Sequence, residues 1–384
     1  MIWYENSYDP DTNPTGVVKK ICWYSKNENT LRFKSTIPQN NPTHASMAGF
    51  FQNYDKFEHI DLTGFDTSNI NDMSHMFDGC IKLKTVNLTG INTSAVTDMS
   101  YMFYKAGYSY IPRQEKNGTL LDKIPNTDDQ YLSITGLNGF NTGEVTNMEY
   151  MFSLCSAQTL NVSSFNAAKV TNFSHMFAGE SKEKYKYFWP TKFISLDVAN
   201  WNVGGNANVN TIDMSNMFDI SYRLTSLSFV GDTTSWKFSK VTTMYEMFNR
   251  CESMEYIHFP EHTDLTEVTT LKGIFNHTAS MVGTIADGSF EDIFKRWDIR
   301  FNDYNTNPKQ GGEIDFTPTP HDGEDGKDNS ANHIFQNDTA SLKNVVLVVN
   351  SYGASGYGTG PEVRVGGFGN TSDYTKMRLV KTGN

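Results

Sequence analysis

The sequence predicts an α/β repeat protein: a solenoid with a parallel β-sheet on one face, short helices on the other, and β-rich caps at both ends. The first observation behind this prediction is an eight-residue pattern ending in Met-Phe that occurs six times. "INDMSHMF" at 70–77 and "VTDMSYMF" at 96–103 are adjacent copies. The second is a short alternation of apolar and polar residues before the pattern, as in "LKTVNLTG" at 83–90.

The distance between adjacent copies gives the length of one repeat. Met73 and Met99 are 26 residues apart, two further intervals are 25 and 30 residues, and two longer ones are 49 and 41. Weaker copies at 47–51 and 271–275 bring the total to eight, and a degenerate ninth lies at 332–338. So short a unit cannot bury its own apolar residues, and stacking of many copies is required.

The two halves of the repeat predict different elements. The alternating half, which ends in a Thr-Gly turn, favours a strand of a few residues. In the second half, Met99, Met102 and Phe103 stand at i, i+3 and i+4, which predicts one face of a short helix, with Thr97 or Asp98 as its N-cap. Stacked copies would place their strands ~4.8 Å apart and their Met and Phe side chains in continuous core columns.

The same residues carry a family resemblance. The pattern "LxxhdLtgFdTSnVtDMSxMFxxC" resembles the BspA-like leucine-rich repeat family of bacterial surface proteins, with its best match at 57–103 and coverage of 47–275. The resemblance implies a leucine-rich-repeat solenoid, a location outside the cytoplasm, a role in adhesion or partner binding, and no catalytic residues. The chain departs from the family pattern in its long insertions and in the absence of a visible export signal.

The predicted organisation has four parts. They are an N-terminal β cap at 1–43, a leucine-rich repeat solenoid at 44–275 with insertions at 104–130 and 178–192, an insertion with one amphipathic helix at 276–330, and a C-terminal degenerate repeat and β cap at 331–384. The helix is expected at 289–297, where Phe290, Ile293, Phe294 and Trp297 have helical spacing.

The cysteines test the repeat alignment. Cys80, Cys155 and Cys251 each follow the Phe of an octet by three residues, in copies that are not adjacent. Cys80 and Cys155 would be about 10 Å apart at the rung spacing, whereas a disulfide needs Cα atoms within about 7 Å. We therefore expect three buried free thiols.

The insertions leave the repeats at equivalent points, directly after the Met-Phe pair. Equivalent points line up along one edge of a solenoid, and insertions in repeats usually mark the partner-facing side. Tyr and Trp are favoured interface anchors, so the aromatic residues of the first two insertions are candidate partner-binding residues. These are Tyr104, Tyr108, Tyr110, Tyr185, Tyr187, Phe188 and Trp189. The alternative is that they hold each insertion against its own repeat.

Composition limits the classes of function. The chain is polar, with 38% apolar residues and a mean hydropathy of −0.49, yet it carries 26 Phe, 19 Tyr and 6 Trp, too many for a disordered chain. Its net charge of −11 argues against nucleic acid as a partner, and no apolar run approaches the ~20 residues of a membrane span. The first 16 residues show no secretory signal, so we expect either no export by that route or a signal outside this sequence.

No sequence motif supports an enzymatic function. "YGASGYGTG" at 352–360 is neither a G-x-S-x-G nucleophile elbow nor a phosphate-binding loop. The nine His lack a zinc-ligand spacing, and the acidic residues of 322–328 do not match a calcium loop. We therefore expect no catalytic residue, no cofactor and no metal.

Two functions remain open. The first is a surface-exposed protein-interaction or adhesion module, at the surface of a bacterium or secreted from it, that contacts a protein or glycan on a cell. The second is a phage virion protein, in a fibre, tail or capsid decoration, that contacts neighbouring virion proteins or a receptor. The family resemblance favours the first, whereas the missing signal and the Met1 start favour the second.

Overall fold

The computed structural model of the chain describes the repeat region almost completely and the termini in short pieces. The described residues are 2–3, 21–25, 30–34, 45–108, 113–116, 119–120, 131–182, 187–232, 236–261, 263–265, 267–268, 273–275, 278, 293, 297–298, 314–315 and 332–333.

The described secondary structure consists of short strands, two three-residue 3-10 helices and a single α-helical residue, Ile293. The strands are β1 (Ile2–Trp3), β2 (Ile21–Ser25), β3 (Thr30–Lys34), β4 (Ala45–Ser46), β5 (His59–Asp61), β6 (Ile70–Asp72), β7 (Thr85–Asn87), β8 (Arg113–Lys116), β9 (Thr119–Leu120), β10 (Ser133–Thr135), β11 (Thr159–Leu160), β12 (Glu180–Lys182), β13 (Tyr187–Trp189), β14 (Ser195–Leu196), β15 (Ile212–Asp213), β16 (Ser226–Ser228), β17 (Val241–Thr243), β18 (Tyr256–His258), β19 (Thr263–Asp264), β20 (Trp297–Asp298), β21 (Ile314–Asp315) and β22 (Asn332–His333). The 3-10 helices are Leu137–Gly139 and Phe238–Lys240.

The alternating half of each repeat forms the predicted parallel strands. β5, β7 and β10 pair in parallel with Ile60 opposite Val86 and Val86 opposite Ile134, and β11 with β14 and β16 with β18 repeat this pairing. The middle residue of each strand points into the core, whereas its neighbours are polar and face outward, as in a sheet with one face in water. At the N-terminus, β2 and β3 form an antiparallel pair, and β3 joins β5 in parallel.

The second half of the repeat does not form the predicted helix. Each octet folds as a run of turns, because the residue between Ser and Met of "DMSHMF" and its equivalents takes a left-handed backbone conformation that an α-helix cannot contain. His75 has φ 55° and Tyr101 has φ 57°. The equivalent positions in the other copies are Tyr150, His175, Asn216 and Glu246, all with positive φ.

Backbone hydrogen bonds explain why turns replace the helix. Met102 N–H donates to the carbonyl of Met99 (3.3 Å) and closes a turn within the copy. The N–H groups of Tyr101 and Phe103 instead donate to Glu149 and Met151 of the next copy (2.8 Å each). Alternate N–H groups thus bond within a turn and between copies, so this buried backbone satisfies its hydrogen bonds without a helix.

The apolar core runs through the copies as columns of identical side chains. The octet phenylalanines stack nearly parallel, with ring centroids 5.0–5.7 Å apart along Phe51, Phe77, Phe103, Phe152, Phe177, Phe218, Phe248 and Phe275. The predicted burial of the octet methionines is confirmed, since Met76, Met102, Met151 and Met217 are at most 1% exposed. One continuous cluster joins the described copies from Met47 to Phe275.

Asn, Asp and Thr recur because they satisfy backbone groups at the bends. Asp72 and Asp98 Oδ1 each accept a bond from the N–H two residues later, and the same arrangement repeats at equivalent positions. Thr142 is buried, donates to the carbonyl of Asn166 (3.0 Å) and accepts from its N–H (2.7 Å). These side chains therefore tie one copy to the next.

The prediction of free thiols is confirmed for the three cysteines of the repeat column. Cys80, Cys155 and Cys251 are buried and unpaired, and Cys80 Sγ donates to the carbonyl of Phe51 (3.0 Å). Burial raises the pKa of Cys80 and of Cys155 to about 12, so both are protonated thiols at neutral pH.

Several predicted elements lie mainly outside the described residues. Of the helix expected at 289–297, only Ile293 and the final Trp297 are described. Ile293 is α-helical, as predicted, whereas Trp297 belongs to the two-residue strand β20. Of the predicted C-terminal cap at 331–384, only β22 is described. Within the residues that the structure describes, no helix has the length and apolar character needed to cross a bilayer.

Candidate functional site

The first two insertions meet on one side of the stacked repeats. Their strands form one antiparallel sheet in the order β12, β13, β8, β9, with Phe188 of the second insertion opposite Arg113 of the first. The sheet follows from the sequence, because both insertions leave the stack at equivalent turns and so begin close together.

Three of the seven candidate partner-binding aromatics are buried rather than exposed. Phe188 packs with Ile220 and Tyr222, and Trp189 packs with Tyr108 and Leu154. Tyr108 also donates through its hydroxyl to the carbonyl of Pro190 (2.9 Å). The insertion sheet docks with these three rings facing the repeats, as in the alternative that the aromatics hold the insertions against the stack.

The structure describes the side chain of only one of the four remaining candidate aromatics, Tyr104. Tyr104 is half-buried and its hydroxyl donates to a carboxylate oxygen of Glu180. Lys105 Nζ bonds the same carboxylate (2.9 Å) and lies 4.4 Å from the centre of the Tyr104 ring. Tyr110 and Tyr185 lie outside the described residues, and Tyr187 is described only as a backbone position in β13.

A second, partly exposed column of rings runs beside this sheet at the left-handed positions of the octets. The rings of His75, Tyr101, Tyr150 and His175 stack in order, with centroids 4.6, 4.7 and 4.3 Å apart. Stacking of this kind contributes about 0.5–1.5 kcal/mol per pair, enough to offset the strain of a left-handed residue in part. This aromatic column ends at His175, because the next two copies carry Asn216 and Glu246 at the equivalent position.

A cleft of about 400 Å³ opens where the aromatic column ends. Its lining includes the last two rings of the column, Tyr150 and His175, together with Glu180 and Ser181 of β12. The full lining is Tyr150, His175, Gly179, Glu180, Ser181, Asn216, Asp219, Tyr245 and Glu246. The loss of rings at two positions and the insertion above them together create this cleft.

Carboxylates dominate the charge of the cleft. Asp219 is buried and accepts hydrogen bonds from Asn249 Nδ2 (2.8 Å) and Asn216 Nδ2 (3.3 Å). Burial, and then repulsion from Glu246, raise the pKa of Asp219, while the Arg250 guanidinium opposes that rise. The cleft therefore holds two carboxyl groups that disfavour each other's ionisation.

Burial also disfavours the charged form of two neighbouring groups, His175 and Glu149. Burial lowers the pKa of His175 to about 4, so this ring is neutral at pH 7. Burial also raises the pKa of Glu149, and the nearby Asp213 and Asp98 add to the rise. A neutral histidine between carboxylates leaves this face without the positive charge that a protonated ring would supply.

Sequence reasoning did not identify the cleft residues. A signal was present, however: the position directly before the fixed Met-Phe pair varies as His, Tyr, Tyr, His, Asn and Glu in successive copies. A position that varies next to fixed core residues is typical of a surface column. That Glu180 and Asp219 would come together could not be inferred, because it depends on how the second insertion docks.

The polar strand face is the alternative contact surface. Asp61 and Asn87 are opposite each other in β5 and β7, and Asn161 and Asp197 follow β11 and β14 on the same side. Asp61 and Asn87 each accept a hydrogen bond from the backbone two residues later. Among the described residues, no group of three or more His, Cys, Asp or Glu has the arrangement of a metal site.

Fold and sequence together define a repeat protein made of parallel-stacked copies. Three segments of the chain, 29–110, 128–257 and 182–287, match the family described as "Mycoplasma protein of unknown function, DUF285", and together they cover more than half of the 384 residues. The chain belongs to this family. Searches of curated proteins and of solved structures each found no match.

Proposed function

We propose that the chain is a non-enzymatic protein-interaction module of the cell surface, built on a BspA-like leucine-rich repeat solenoid. The regular spacing of the copies, their parallel register and their shared core columns support the solenoid. We propose further that the partner contacts the side that carries the insertion sheet and the cleft.

One observation carries this proposal: a surface cleft is held on a rigid support. Phe188 and Trp189 fix the insertion sheet to the repeats, and Asn216 and Asp219 belong to the stacked turns themselves. Because its walls are fixed before binding, the site loses little conformational entropy when a partner arrives. The strand face, by comparison, carries mainly polar side chains, and no cleft is described there.

The test places a cross-linking group on each surface. Ser181 at the cleft rim and Asn161 on the strand face are both exposed, so Ser181→Cys and Asn161→Cys introduce thiols at matched sites. Each purified full chain is labelled with a benzophenone maleimide, illuminated with intact cells and analysed on a denaturing gel. The unsubstituted chain, treated in parallel, reports labelling of native thiols.

The proposal predicts an adduct from Ser181→Cys that saturates and is competed by excess unlabelled chain, with little or none from Asn161→Cys. Stronger or equal adducts from Asn161→Cys would move the contact to the strand face. The absence of a saturable adduct from either variant would contradict partner binding through these two surfaces. Deleting 180–188 is a poorer test, because it would uncover Ile220 and Tyr222 beneath Phe188.

A further inference from the structure

Three tyrosine rings of the aromatic column and the first insertion contact one another. The rings of Tyr101 and Tyr150 stack with centroids 4.7 Å apart and planes within 16° of parallel. Tyr104 meets both rings edge-on, with its centroid 5.3 Å from that of Tyr101 and 5.8 Å from that of Tyr150. All three side chains are partly exposed, so small molecules in solution reach the cluster while the chain is folded.

The stacked pair differs from the two edge-on contacts in which atoms lie next to each other. Tyr101 and Tyr150 occupy the same octet position, with left-handed φ values of 57° and 53°. Because their side chains leave equivalent backbones, we expect both hydroxyls to point the same way, which sets the carbons ortho to one hydroxyl beside those ortho to the other. A bond from the Tyr101 N–H to the Glu149 carbonyl (2.8 Å) holds the two copies in this register.

Both phenols are protonated at neutral pH. Burial, and then repulsion from Glu149, raise the pKa of Tyr101 to about 12, and the same two causes raise the pKa of Tyr150. A phenol that loses an electron becomes a strong acid, so its hydroxyl proton then leaves to water or to a nearby carboxylate. Glu149 is close enough to both rings to affect their ionisation, and it can accept such a proton.

We propose that Tyr101 and Tyr150 form a site of oxidative cross-linking, at which a one-electron oxidant of the kind that peroxidases generate from hydrogen peroxide joins the two rings as dityrosine. Two equivalents of the oxidant each take one electron, and each phenol releases one proton, which leaves two phenoxyl radicals. The radicals pair to form one bond between ortho carbons, and the hydrogens of those carbons move to the oxygens as aromaticity returns. The protein loses two hydrogen atoms in all.

The bond would join two copies across 49 residues and enclose the first insertion in a covalent loop. Cross-links that close long loops stabilise a fold mainly by restricting the unfolded chain, so the oxidised chain should unfold at a higher temperature. The inference goes beyond the proposed partner contact and does not depend on it, because the reaction needs no residue of a partner.

The experiment oxidises the dilute full chain with photogenerated tris(bipyridine)ruthenium(III), a one-electron oxidant. Monomer is isolated by size exclusion, digested with trypsin and analysed by tandem mass spectrometry, with dityrosine fluorescence as a second readout. The expected product joins the tryptic peptides 85–105 and 124–169, and its mass is their sum less two hydrogen atoms. The same reaction in urea, where the rings no longer stack, should give little of this product.

Each of the two peptides contains two tyrosines, and matched variants assign the bond. Tyr101→Phe and Tyr150→Phe keep a ring in the stack but remove the phenol, so each should reduce the joined peptide to the level of the unoxidised chain. Tyr104→Phe should leave the yield unchanged, because that ring meets the other two edge-on. Tyr131→Phe, which changes the second tyrosine of 124–169, should leave it unchanged as well.

Several outcomes would overturn the proposal. They are the absence of the joined peptide from the folded parent chain, an equal yield in urea, and survival of the product in Tyr101→Phe or Tyr150→Phe. Thermal unfolding supplies an independent check, since the cross-linked parent should unfold at a higher temperature than Tyr150→Phe after the same oxidation. Equal midpoints would contradict a bond formed in the native register.

Discussion

The ring of Phe103 stacks on the ring of Phe152, with centroids 5.4 Å apart and planes within 4°, although 49 residues separate them in the chain. An insertion lies between the two copies, yet their register is the same as that of Phe77 and Phe103, which are 26 residues apart. Added loop length has therefore not disturbed the core, in agreement with the slow growth of loop-closure entropy with length.

The methionine columns should carry much of the stability. Met102→Ala removes a fully buried side chain between two copies and is expected to lower the free energy of unfolding by about 2–5 kcal/mol, because it opens a cavity. Met102→Leu keeps the volume and should cost less than about 1.5 kcal/mol. Urea unfolding followed by circular dichroism measures both, and equal stability of the Ala variant and the parent chain would show that the column is not close-packed.

Two glycines separate backbone strain from steric overlap. Gly64 has φ +79° and open space around its missing Cβ, so Gly64→Ala should cost only about 1–2 kcal/mol. At Gly107, φ is +66° and a Cβ would approach the Leu83 carbonyl oxygen to 2.6 Å. Gly107→Ala should therefore cost about 1–3 kcal/mol more than Gly64→Ala in the same assay. Similar losses for the two variants would show that the contact at Gly107 is not as close as described.

The buried threonine of each copy should matter through its two backbone bonds. Thr142→Val keeps the shape but leaves the N–H and the carbonyl of Asn166 without their side-chain partner, which should cost about 1–3 kcal/mol. Thr146 in the same copy is exposed and donates a single bond to the Thr97 carbonyl (3.2 Å), which water can replace, so Thr146→Val should cost less, under about 1 kcal/mol. Thermal unfolding measures both variants. If Thr142→Val unfolded at the same temperature as the parent chain, the two bonds between Thr142 and Asn166 would not contribute to stability.

The cysteines of the repeat column should be inert in the native state. Cys80, Cys155 and Cys251 are buried, and burial raises the pKa of each thiol, so little thiolate is available to react. Intact-mass measurement should find no alkylation at these three before denaturation and complete alkylation after it, with or without reductant. A mass that corresponds to a bond between any two of them would contradict the stacking order.

His175 should make the fold less stable in acid. Its pKa is lowered from 6.5 to about 4 by burial, so below pH 6.5 the unfolded chain binds a proton there that the folded chain does not. Stability contributed by the neutral ring is complete above about pH 6.5 and is lost as the pH falls to about 4, by about 2–3 kcal/mol.

The comparison with His175→Phe isolates this effect from the titration of nearby carboxyl groups. Phe keeps a ring against Tyr150 and cannot be protonated, so its unfolding free energy should fall less between pH 7 and pH 4.5. Parallel pH dependences for the two proteins would show that His175 is not buried as described.

The sequence was sufficient for the strands and the core but not for the turns or the cleft. The spacing of Ile60, Val86 and Ile134 gave strand direction and burial correctly, because period-2 alternation and a 26-residue repeat leave few alternatives. Helical spacing of Met99, Met102 and Phe103 indicated one shared face but could not distinguish a helix from turns.

The difference lies in where the backbone hydrogen bonds go. An eight-residue helix is marginal alone, whereas stacked turns obtain N–H partners from the neighbouring copy, which a single octet does not reveal. Likewise, the sequence around Phe188 and Trp189 does not indicate whether these rings face a partner or the repeats. That choice depends on Ile220, Tyr222 and Leu154, which lie in other copies.

The central claim is that the copies form one continuous stack, and the distance between its ends tests this most directly. His59 in β5 and Tyr256 in β18 occupy the same position in copies six steps apart, through β7, β10, β11, β14 and β16. Spin labels on His59→Cys and Tyr256→Cys, measured by double electron–electron resonance, should give one distribution centred near about 29 Å, six times ~4.8 Å. A centre below about 20 Å, or two separate distances, would mean that the copies fold back on one another and would contradict the account.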